Sequence, residues 1–216
     1  MGTPAQQTGA RPDRPRRYDS SLRQRQAAQN RRALLEVATT LFAERGWSVA
    51  VRDIAVAAGV SVETVYAHFG SKAELLNRVL DVAVVGDDES VPLMDRPEFA
   101  ALGEGGPAQR AAAAARLVTG INQRTVGVRR ALREAAAAEP LLASRLEEMR
   151  GRQLVNVTAG VAMVAGRELS TTETEGLWAV LSMEVYELLT AHAGWSPEQY
   201  EQWLAGAITR LVGLET

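Results

Sequence analysis

The side chains able to do chemistry in this chain are few, and they fall in two places. Among the 216 residues there is no cysteine and there are two histidines, which puts disulfides, thiolate nucleophiles and Cys/His metal sites out of reach. The densest acidic run, Asp87-Asp88-Glu89, has the oxygen ligands a divalent cation prefers and is the one foothold for a helical metal-dependent enzyme. Such a site needs carboxylates converging on a cavity from separate elements, whereas these three adjoin one another in a stretch rich in Gly and Pro. No nucleophile stands beside a base. The chain is therefore expected to be no enzyme and to need neither cofactor nor metal.

The second place is the segment from Arg52 to Lys72. Thr64 offers a hydroxyl and Glu63 a carboxylate, groups that can read base edges, while Lys72 offers a cation for a phosphate oxygen. The formal net charge of −2 conceals an asymmetry that favours this reading: residues 1–80 carry 12 basic and 7 acidic side chains, the remainder 12 and 19. One end of the chain suits a polyanion.

For these residues to act together, the elements around them must form a particular unit. Leu34, Ala38, Leu41 and Phe42 recur at i, i+4, i+7 and i+8, the period of one helix face, and Gly46 supplies a left-handed stop. Short helices follow over 51–58 and 62–69, separated by Gly59, whose freedom at positive φ permits a sharp turn. Ile54, Val60, Val65 and Phe69 can then share a core. With Val65 and Phe69 inward, 100° per residue turns Glu63 and Ala67 outward and sets Thr64 and Tyr66 on the flanks. A helix of this length, ~12 Å, suits a major groove ~12 Å wide. Ser71 and Glu74 have the spacing of a capping box for a fourth helix, where Lys72 is well placed for a phosphate docked at free N–H groups.

The rest reads as helix without competing strands. Residues 87–106, rich in Pro, Gly and acids, form a connecting loop, and helices are predicted over 107–122, 125–138, 141–165, 171–192 and 197–214. Ser170 with Glu173, and Ser196 with Pro197 and Gln199, mark two starts. The longest apolar stretch, 154–165, falls short of the ~18 residues of a membrane span. Residues 1–26 have arginines but no apolar run after them, so no secretory signal is expected, and a cytoplasmic location follows. The fold class is all-α: a disordered arginine-rich arm over 1–25, a three-helix DNA-binding domain with a helix-turn-helix over 26–70, and a larger helical domain over 71–216. Arg11, Arg14, Arg16 and Arg17 of the arm could enter a minor groove, although a solvated tail is the default reading.

The runs Ala38-x-x-Leu41-Phe42-x-Glu44-x-Gly46, Asp53-Ile54-Ala55-x-x-Ala58-Gly59-Val60-Ser61 and Tyr66-x-His68-Phe69-x-Ser71-Lys72-x-x-Leu75 resemble the DNA-binding domain of the tetracycline-repressor (TetR) family. The resemblance implies that Tyr66, His68 and Lys72 hold the phosphate backbone, that Val62, Glu63 and Thr64 face bases, and that Arg52 reaches a base or phosphate. It implies a homodimer on double-stranded DNA bearing an inverted repeat, with the last two helices pairing about the two-fold axis. A looser likeness over 184–204, 23 arginines against one lysine, and runs of alanine suggest an actinobacterial member.

The larger domain admits three readings: a sensor of a small-molecule effector, a dimerisation scaffold, or a platform for another protein. The resemblance favours a sensor. Polar or deformable residues inside otherwise apolar helices support it, namely Asn122, Gln123, Met149, Gln153 and Asn156, followed by Met163, Trp178, Met183 and Tyr186. A buried polar group without a partner costs ~1–3 kcal/mol, so such a set suggests a largely apolar pocket with a few polar anchors.

Overall fold

The computed structural model describes residues 17–89 and 91–214, with side chains from Arg25 onward. Among the described residues it is helical throughout, with no strand. Helix α1, Arg17–Arg45, starts ahead of the expected Gln26, which corrects the expectation of disorder for residues 17–25; residues 1–16 lie outside the described residues. Its buried face, Leu34, Leu35, Ala38 and Phe42, anchors the helix. Extension back through Arg, Gln and Ala then avoids the cost of nucleation.

Gly46 (φ +66°) closes α1. Helices α2 (Val51–Ala57) and α3 (Val62–Phe69) follow, and Gly59 between them adopts φ +67°, a conformation that a side chain would strain. Ile54, Ala55, Val65 and Phe69 are buried together against α1. Helix α4 (Lys72–Val85) begins at Ser71, whose Oγ accepts the Glu74 N–H at 3.1 Å.

The connecting segment holds a short helix, α5 (Pro97–Ala100). Helix α6 then runs unbroken over 30 residues, Pro107–Ala136, where two helices had been predicted. Asn122, Gln123 and Arg124 contain no breaker, and Gly120, just before the expected break, costs only ~1 kcal/mol in a helix. Pro140 occupies the first position of α7 (Pro140–Ala165), where its missing N–H is harmless.

The predicted helix over 171–192 is divided. Helix α8 (Thr171–Val180) carries the reciprocal Ser170–Glu173 box, and α9 (Met183–Glu187) has its own cap in Ser182, which accepts the Val185 N–H at 3.3 Å. A wider π turn, Leu188–His192, ends the run. Helix α10 (Pro197–Leu211) starts on the expected Ser196–Gln199 box. Within the last two helices, expected to pair two copies, Leu177, Leu181, Leu204, Ala207 and Ile208 are buried inside the chain, Val185, Leu189 and Trp203 are half-buried, and Leu188 and Leu211 are exposed.

Two hydrophobic cores result. The first joins α1–α4 to Val128, Ala131, Leu132 and Ala135 of α6 and to Leu142 and Met149 of α7. The second lies among α5, the first half of α6, the end of α7 and α8–α10. Helix α6 serves both. Its crossing with α1 is close because Gly127 faces Ala43: a Cβ at Gly127 would stand 2.6 Å from the Ala43 Cβ and 2.9 Å from its Cα. Neither obstacle is a flexible side-chain end. Gly127→Ala should therefore destabilise the protein by ~1–3 kcal/mol, the usual cost of overpacking, seen as a lowered urea midpoint; an unchanged midpoint would mean that the two helices part freely.

Candidate DNA-binding face and internal cavity

The recognition face is built from the start of α3. The Ser61 Oγ accepts the Thr64 N–H at 3.1 Å and lies 3.1 Å from the Thr64 Oγ1, so cap and side chain fix each other. Glu63 is exposed in the first turn. Hydrogen bonds from its own backbone N–H and then from Ser61 hold its carboxyl below the usual range. The anion stays charged at the positive end of the helix dipole, which accounts for an acid at this position.

Arg52, Tyr66 and His68 are exposed, Tyr66 at 46% despite its ring. Val62 departs from expectation. It stands three residues before Val65 and seven before Phe69, hence on the inward face, and packs half-buried against the first core. It can meet DNA only by its edge.

Lys72 departs further. Its ammonium donates to the Trp47 carbonyl oxygen and lies 4.0 Å above the Trp47 ring. Burial pushes its pKa down, opposed by the charge of Glu139. The same Trp47 stacks its ring on Phe42 and donates its backbone N–H to the Glu134 carboxylate at 2.9 Å. Lys72, Trp47 and Glu134 thus tie the start of α4 to the end of α6. The sequence offered a signal in Trp47 itself, a large aromatic directly after a helix-ending glycine, but no sign of the distant Glu134.

Beneath this module a cavity of about 960 Å³ lies between α4, α6 and α7, with α5 at its side. Asn122, Met149, Gln153 and Asn156 line it. Met163, Trp178, Met183 and Tyr186, expected with them, do not line it. Met163 and Tyr186 belong to the second core, where the Tyr186 ring meets Tyr200 edge-on at 4.9 Å; Met183 is fully buried. Trp178 is half-buried on α8 with its Nε1 unpaired. The break at Ser182 leaves α8 and α9 filling the seam beside α10, and Leu181 alone of that stretch reaches the cavity. Gln123 is exposed.

Arg129 was not anticipated, yet it lines the same cavity and is 7% exposed. Burial is the largest influence on its pKa and pushes it down. A signal was present: Asn122, Thr125 and Arg129 stand at i, i+3 and i+7, one helical stripe, and all three are buried.

Comparison with known proteins agrees with this geometry. A solvent-facing short helix on a three-helix base, joined to a large helical body, defines a helix-turn-helix DNA-binding protein. Residues 34–79 match the model of the bacterial regulatory proteins of the tetR family. Over 51 residues it is 49% identical to the HTH-type transcriptional repressor KstR2 of Rhodococcus jostii, covering 23% of this chain and 25% of that one. Over 50 residues it is 48% identical to the repressor Rv3405c of Mycobacterium tuberculosis, covering 23% and 27%. The match thus spans about a quarter of the length of these curated relatives. Two solved structures share the fold more widely: a transcriptional regulator of Rhodococcus sp. Rha1, with TM-score 0.57 and 22% identity over 84% of this chain and 95% of that one, and a protein described as a TetR-family regulator of Rhodococcus sp., with TM-score 0.62 and 21% identity over 86% and 99%.

The acidic run is engaged in ion pairs. Asp87 receives a two-pronged bond from Arg96 at 2.6 and 2.8 Å. Asp88 bonds to Arg31 of α1 at 3.1 Å and to Arg78 of α4. Among the described residues no group of three metal-ligating side chains converges. The Arg96 bond, aided by the Glu89 N–H, lowers the Asp87 pKa to about 2. A depressed folded-state value means that the contribution is present above about pH 4 and is lost as the pH falls through the folded value. Asp87→Asn should therefore be less stable than the wild type near neutrality, with the gap closing on acidification; urea melts at about pH 6 and about pH 3 test this, and a constant gap would count against it.

Proposed function

We propose that the protein is a transcriptional repressor that binds an inverted-repeat operator as a homodimer and leaves it when a small, largely apolar effector fills the cavity. In this reading residues 26–70 engage DNA and residues 71–216 sense the effector and pair two copies, in the cytoplasm where the DNA is. The observation that carries it is the position of the cavity against α4. Arg78, Val82 and Val85 of α4 line it, and the opposite end of the same rigid helix starts at Ser71, two residues beyond the end of the recognition helix. A molecule that shifts the middle of α4 must also shift its start, and with it the separation of the two recognition helices in a dimer.

Roles on DNA follow from exposure. Arg52, Tyr66 and His68 engage the phosphate backbone; Lys72 can join them, because an ammonium has three donors and Trp47 takes one. Thr64 and Glu63 face base edges, and Val62 adds apolar contact at the groove wall. Leu188 and Leu211 supply exposed apolar surface for the pairing of two copies, which gives the two-fold symmetry that an inverted repeat requires.

Two outcomes are expected. Arg52→Ala and Tyr66→Ala should weaken binding to every sequence alike and flatten its salt dependence, whereas Thr64→Ala should cost ~1–3 kcal/mol at particular base pairs. Electrophoretic shift titrations on operator and scrambled DNA distinguish these, and identical behaviour of all three variants would overturn the assignment. Effector and operator should also oppose each other by one and the same factor, typically ~5–150-fold. Asn156→Ala should blunt that coupling while leaving effector-free operator binding intact. An effector that saturates the cavity without changing operator affinity would refute the sensing mechanism.

A further inference from the structure

Resting on the reading of the cavity as the effector site, we propose that the effector is an apolar carboxylic acid whose carboxylate pairs with Arg129. The charges around the cavity are almost all spoken for within the chain. Arg78 is paired with Asp88, Arg145 with Asp81 and, at 3.6 Å, with Glu148, and Asp87 with Arg96. Arg152 and Glu89 are exposed, where water screens them. Arg129 is the exception: it is 7% exposed, and among the described residues no hydrogen bond or ion pair reaches its guanidinium. Glu184, whose charge acts on it, lies 3.9 Å from Arg133 instead.

A guanidinium has five donors and cannot shed its proton, so a buried one without a partner is a costly arrangement that an incoming anion relieves. Its planar fork matches a carboxylate in two parallel hydrogen bonds. A single unpaired cation calls for a single negative charge, which favours a carboxylate over a doubly charged phosphate ester. The remainder of the site fixes the rest of the molecule. At about 960 Å³ the cavity is at the upper end of the ~300–1,000 Å³ of small-molecule sites, and Val82, Leu117, Ile121, Val157 and Val161 make its walls apolar. An inorganic anion would neutralise Arg129 but leave those walls uncovered. A neutral hydrocarbon would cover the walls but leave the charge unpaired. An acid with an apolar body does both. Thr125, one turn before Arg129, has committed its hydroxyl to the Ile121 carbonyl at 2.8 Å and does not compete for the carboxylate.

The test uses the full chain and two fluorescent probes, 11-(dansylamino)undecanoic acid and its methyl ester, which share a body and differ in the anion. The wild type should bind the acid at least about tenfold more tightly than the ester, the scale of a charge-assisted pair. Arg129→Gln should abolish that preference by weakening the acid and leaving the ester unchanged. Arg129→Lys, which keeps the charge but not the fork, should retain part of it and remains informative if the glutamine variant folds poorly. Without any probe, Arg129→Met should melt above the wild type, because an unpaired buried charge has gone. Equal affinity for acid and ester in the wild type, or a glutamine variant that binds the acid as the wild type does, overturns the inference while ester binding leaves the cavity reading standing. Failure of both probes to bind overturns the two together.

Discussion

The backbones of α1 and α6 meet where Gly127 faces Ala43, and the remaining elements take their positions from that contact. A helix of 30 residues, ~45 Å long, is long enough to serve two cores only if it can be brought flush against the first of them. Removal of one side chain allows it. From this crossing the second half of α6 gives Val128, Ala131, Leu132 and Ala135 to the DNA-binding module, while its first half forms one side of the body core and one wall of the cavity.

The same helix carries two kinds of polar group with opposite consequences. Near its end, Glu134 accepts the Trp47 backbone N–H, and the cation of Lys72 in turn engages the carbonyl and ring of Trp47, so the start of α4 is held in place. Five residues earlier, Arg129 is buried without such satisfaction. Fully paired networks rigidify, whereas an unpaired buried charge stores unfavourable free energy at one location. The rigid connection and the unsatisfied group lie on one element, and α4 touches both the connection and the cavity.

Much of the fold was legible because local chemistry decides it. The helix over Val62–Phe69 has the bounds its sequence indicates, and the starts at Ser170 and Ser196 were given by caps whose partners lie three residues away. Mistakes arose where the deciding partner is remote. Ser182 looked like an ordinary polar residue within a helix, and its role as a cap depends on how α9 packs. Lys72 looked free because Trp47 is 25 residues away in the chain. Met183 and Tyr186 looked like pocket residues, but periodicity identifies an inward face without saying whether that face meets a filled core or an empty space. Arg129 was hidden for the converse reason, since a charged residue on a long helix is ordinarily solvated and only the facing helices make it buried.

The shared core also bears on how such proteins can be recombined. The module that bears the recognition helix does not own its floor: Leu142 and Met149, far along the chain, are part of it. Grafting residues 26–70 onto a foreign sensor would therefore transplant a surface without the side chains it was shaped against. Substitution in the helical body is constrained at the α6 and α7 positions that double as foundations for the helix-turn-helix unit. The helix-turn-helix module and the helical body lie along one chain but are not separately exchangeable cartridges.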